Sequence, residues 1–98
     1  MSNQAKIYAI LYDRDSVDTE ALHNFISNSE LVHNWWHYIK SCYMIKSELS
    51  AREIADALPR SMREGSFLVV EVNLSNSNGW LTEKAWRWIY RRQDEERV

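Results

Sequence analysis

The chain carries one cysteine, one proline and two glycines among its 98 residues. A single thiol, Cys42, forms no internal disulfide, and this favours a reducing compartment. Two glycines leave no room for a Gly-rich phosphate loop; Gly65 and Gly79 both read as turn residues. His23, His33 and His37 have no Cys or His neighbours at metal-ligand spacing. No apolar run approaches the ~20 residues that span a bilayer. The first residues, Met1 to Lys6, are polar and lack the apolar stretch of a secretory signal. The expectation is a cytoplasmic protein without a membrane partner. A net charge of −2 lacks the basic footprint of a phosphate-binding domain, so nucleic acid is a possible but disfavoured partner.

What the chain does have is aromatic bulk, with five Trp, five Tyr and two Phe. Its length fits one domain, residues 1–98, with a thin core that large aromatics help to fill. Aromatics are also enriched where subunits meet, so a homodimer is expected.

Hydrophobic periodicity divides the chain into alternating elements. Lys6 to Tyr12 is nearly continuous in apolar character and reads as a central strand. Asp13-Arg14-Asp15-Ser16 ends it, because short polar side chains bond nearby amides. Val17 to about Asn28 reads as a helix with Leu22, Phe25 and Ile26 on one face. Trp35 to Ile39 and Cys42 to Ser47 form a hairpin around Lys40-Ser41, with Tyr43 and Ile45 turned toward the helices. Ser50-Ala51-Arg52-Glu53 is a capping box that starts a second helix, and Pro59 stops it. Ser66 to Leu74 reads as another central-type strand. Asn76 to Gly79 is a turn, and Thr82 caps a last helix from about Glu83 to Arg92. The residues from 93 to 98 form a charged tail, expected to fray.

This order predicts an α+β fold: a ferredoxin-like βαββαβ sandwich with an extra C-terminal helix. Helices then cover one sheet face. Phe67, Val69 and one of Trp35 and Trp36 are expected on the other face, as a dimer or partner interface.

The string Trp35-Trp36-His37-Tyr38, with Tyr12-Asp13, the Ser-capped helix from Ser50 to Leu58 and Leu68-Val69-Val70, resembles the SinR-type family of small bacterial and phage proteins. That family is unrelated to the helix-turn-helix repressor of similar name. Gly79-Trp80-Leu81 and Trp86 also look similar, so the likeness runs along nearly the whole chain. The family is similar in fold to the CRISPR-associated small nuclease, a ferredoxin-like homodimer. The resemblance implies a phage or mobile-element accessory protein, or an anti-defence protein. It also implies an acidic metal ligand at the end of the first strand, and the matching residue is Asp13.

Two functions from different classes follow. In the favoured one the protein is non-catalytic and acts by macromolecular binding, as a homodimer with a protein partner and no cofactor. In the alternative, Asp13 carboxylates hold magnesium or manganese and activate water on a phosphodiester. Asp13 after a strand is more simply a turn residue; Asp15 and Asp18 are candidate extra ligands that more simply start the helix. His37 has a pKa range suited to acid–base catalysis, but between aromatics on a strand it more simply packs. Trp35, Trp36, Tyr38 and Tyr43 can stack bases, yet without interleaved basic residues they read as core or interface. Lys84, Arg87, Arg91 and Arg92 form a basic patch that can touch phosphate but equally matches the preference for cations near a helix C-terminus, and it reads as a solvated face.

Overall fold

A computed structural model describes residues 5–90. Strand β1 (Lys6–Tyr12) leads to helix α1 (Thr19–Asn28), then strands β2 (Asn34–Ile39) and β3 (Cys42–Ser47). Helix α2 (Ala51–Ala57) and a 3₁₀ turn (Arg60–Glu64) precede strand β4 (Phe67–Glu71). A second short 3₁₀ turn (Leu74–Asn76) connects β4 to helix α3 (Glu83–Tyr90). The strands form one four-stranded antiparallel sheet in the order β2-β3-β1-β4. Three helices on such a sheet are compatible with a small ferredoxin-like α+β fold. The last residues of the expected third helix, Arg91 and Arg92, and the tail at 93–98 lie outside the described residues.

Local chemistry explains the element starts. The Asp18 carboxylate accepts from the Ala21 amide and caps α1. In α2 the Ser50 hydroxyl accepts from the Glu53 amide at 3.1 Å, while the Glu53 carboxylate accepts from the Ser50 amide at 2.8 Å. Both halves of the capping box are therefore made. Thr82 Oγ1 accepts from the Ala85 amide and caps α3.

One face of the sheet contributes Tyr8, Ile10, Tyr12, Tyr43 and Ile45 to the core. These pack with Leu22 and Ile26 of α1, Ile54 and Leu58 around α2, and Met62 of the 3₁₀ turn. Phe67 and Val69 pack against this same cluster. This reverses the expected facing of β4: Leu68 and Val70 point to the opposite side and are exposed. The strand is apolar on both faces, so alternation alone could not choose its orientation.

The second sheet face is not bare. Helix α3 lies across its β2–β3 half, with the Trp36 indole Nε1 reaching the Ala85 carbonyl. Trp36 is consequently 1% exposed, which removes it from any free interface. Lys46 is buried on the same side, its ammonium 4.5 Å from the centre of the Trp88 ring. Trp88 Nε1 donates to Asn34 Oδ1, which ties α3 to the start of β2.

Candidate interaction surface and aromatic cluster

What α3 leaves uncovered is the β1–β4 half of that face. Leu11 lies opposite Leu68, and Ala9 opposite Val70. Directly opposed residues share a face, so these four side chains form one apolar block. Leu11, Leu68 and Val70 are 42%, 58% and 38% exposed. The block reaches the sheet edge, since β4 is an outer strand. Hydrogen bonds from Asp13 N to Ser66 O and from Val72 N to Ile7 O set the phase of the β1–β4 ladder. Leu68 and Val70 therefore turn their backbone groups toward β1. Phe67, Val69 and Glu71 turn theirs out from the edge. The apolar block and the outward backbone groups adjoin.

A second feature sits between α1 and β2, on the helix side. Tyr43 is its centre. The His37 ring stacks on Tyr43 with centroids 3.9 Å apart, and His23 of α1 meets the Tyr43 hydroxyl through Nδ1 at 2.7 Å. Trp35 packs against both His23 and Tyr43. Burial and then the neighbouring Tyr12 push the Tyr43 pKa up to about 12. Burial also raises Tyr12 and Cys42, so neither a phenolate nor a thiolate is favoured here.

The Tyr12 hydroxyl donates to the Lys40 carbonyl at 2.7 Å. Its single proton is thereby committed, so the His37 Nε2 at 3.2 Å must be the donor to the Tyr12 oxygen. His37 thus pins the β2–β3 hairpin. In this placement His37 packs on Tyr43, and its Nε2 lies 3.2 Å from the Tyr12 hydroxyl and 3.4 Å from the Lys40 carbonyl. No sequence signal paired His37 with Tyr12, because their contact reaches from β2 to β1 across the intervening strand β3.

Asp13 lies exposed at the end of β1, where its carboxylate accepts from the Asp15 amide at 3.1 Å. Its carbonyl accepts from the Ser16 and Val17 amides. These are the bonds of a turn. Among the described residues, no three His, Cys, Asp or Glu side chains converge on a common point. Asp18 is engaged as the α1 cap. His33 faces Glu48 at 3.4 Å. Among the described residues, no helix is long and apolar enough to cross a membrane. No family model, curated protein or solved structure matches the chain.

Proposed function

We propose that this is a small non-catalytic protein with a ferredoxin-like βαββαβ sheet and an added C-terminal helix, and that it acts as a homodimer by binding another macromolecule. The observation that carries the dimer is the apolar block of Leu11, Leu68 and Val70 running out to the β4 edge. An exposed edge with apolar side chains is a template for strand pairing. A two-fold axis at Val69 would pair the outward backbone groups of the two β4 strands in antiparallel fashion. That register sets Leu68 beside Val70 of a second copy, and Val70 beside its Leu68. The apolar block then runs unbroken across an eight-stranded sheet, and the occupant of the edge is the chain itself. The SinR-type resemblance supports the same reading, through its similarity to a homodimeric fold.

The test is sedimentation equilibrium on wild type, Leu68→Glu and Val69→Glu. Wild type should be a dimer, and Leu68→Glu a folded monomer. Val69→Glu should lose stability itself, because it places a carboxylate against the core. A monomeric wild type, or a Leu68→Glu protein that remains dimeric, would sink this interface.

A further inference from the structure

The linker between β4 and α3 contains Asn78-Gly79, and its geometry is reactive. The Gly79 amide nitrogen lies 2.7 Å from Asn78 Oδ1, so it sits beside the side-chain carbonyl carbon of the preceding residue. Gly79 has φ of +156°, and a Cβ placed there would meet no atom within 4 Å beyond its own chain neighbours. Both residues are exposed. Glycine gives the backbone its greatest freedom to close the short distance, and no side chain shields the nitrogen.

We propose that Asn78-Gly79 is a site of spontaneous self-modification. The Gly79 nitrogen gives up its proton to solvent base and attacks Asn78 Cγ. A C–N bond forms, the Cγ–Nδ2 bond breaks and ammonia leaves, giving a five-membered succinimide. Water then adds to either ring carbonyl and opens the ring, leaving aspartate or isoaspartate. No electrons are transferred. Each event adds one negative charge beside Trp80, which is 101% exposed.

The other described asparagines provide an internal control. Asn34 makes the same contact, with the Trp35 amide 2.8 Å from its Oδ1. It nevertheless lies in β2, paired with Lys46, and its Oδ1 also holds the Trp88 indole. Attack there would require breaking the strand and passing the Trp35 side chain. Asn24 and Asn28 are held in α1, where the Asn28 side-chain amide donates to the Asn24 carbonyl. Asn73 Oδ1 accepts from the amide and hydroxyl of Ser75, and Asn76 closes a 3₁₀ turn. Among the described residues, residue 78 is the asparagine whose following nitrogen is both near and unhindered.

The experiment is incubation of the folded protein in mildly alkaline buffer. Peptide mapping by mass spectrometry would follow, with enzymatic methylation of isoaspartate to separate the two products. Asn78 should convert first, with both products present. Gly79→Ala should slow conversion about tenfold or more, since a Cβ hinders the approach and disfavours the backbone conformation. Asn78→Gln, which would need a larger ring, should likewise stay intact. Conversion at Asn34 or Asn76 as fast as at Asn78, or no slowing in Gly79→Ala, would overturn the proposal.

Discussion

The imidazole of His37 lies flat on the ring of Tyr43, 15° from parallel, while its Nε2 donates to the hydroxyl of Tyr12. One edge-strand residue thus touches both central strands from above. Removing it should cost stacking and a hydrogen bond together. His37→Ala is expected to lose about 1–2 kcal/mol of stability in urea denaturation. His37→Phe keeps the stacking surface and should recover roughly half. Equal losses in the two variants would mean that the stacking contributes nothing.

Tyr43 makes stability fall in alkali. Its folded pKa rises from the ordinary 10.0 to about 12, through burial first and then the neighbouring Tyr12. Between those values the unfolded chain binds fewer protons than the folded one, so stability decreases as pH rises. The contribution is fully present below about pH 10 and is lost by about pH 12. Tyr43→Phe should flatten this decline in denaturation measured across that window. A parallel decline in both proteins would place the effect elsewhere, at Tyr12 or Cys42, whose pKa values burial also raises.

Gly65 allows the chain to pass close to the start of α1. A Cβ there would clash with the Ser16 carbonyl oxygen, and the neighbouring Ser66 amide donates to Ser16 Oγ. The obstructing atom is backbone, so it cannot swing aside. Gly65→Ala is expected to destabilise by about 1–3 kcal/mol, read from thermal melting. An unchanged melting temperature would show that the β1–α1 loop shifts freely.

Asp13 bears on the alternative of metal-dependent cleavage. Its carboxylate serves the turn through the Asp15 amide. With labelled single- and double-stranded RNA and DNA in magnesium or manganese, wild type and Asp13→Ala should show no difference in cleavage. Metal-dependent cleavage lost on Asp13→Ala would refute the non-catalytic reading.

Elements governed by neighbours in sequence were legible from the sequence. The bounds of β1 and β3, the Ser50–Glu53 capping box and the buried stripes Leu22–Ile26 and Ile54–Leu58 follow from residues a few positions apart. The facing of Tyr43 and Ile45 was legible because Lys46 broke the tie between the two sides of β3. No such asymmetry exists in β4, where Phe67 and Val69 alternate with Leu68 and Val70.

Sequence by itself therefore determined the α+β order of elements, since propensity, capping and periodicity act over one or two turns of chain. Tertiary structure alone decided which face of β4 meets the core, because both faces are apolar and only the fit against Met62 and α2 separates them. It also decided the fate of Trp36 and Lys46. Both lie on the face that looked open, and both are buried because α3 folds back over them from about fifty residues further along the chain.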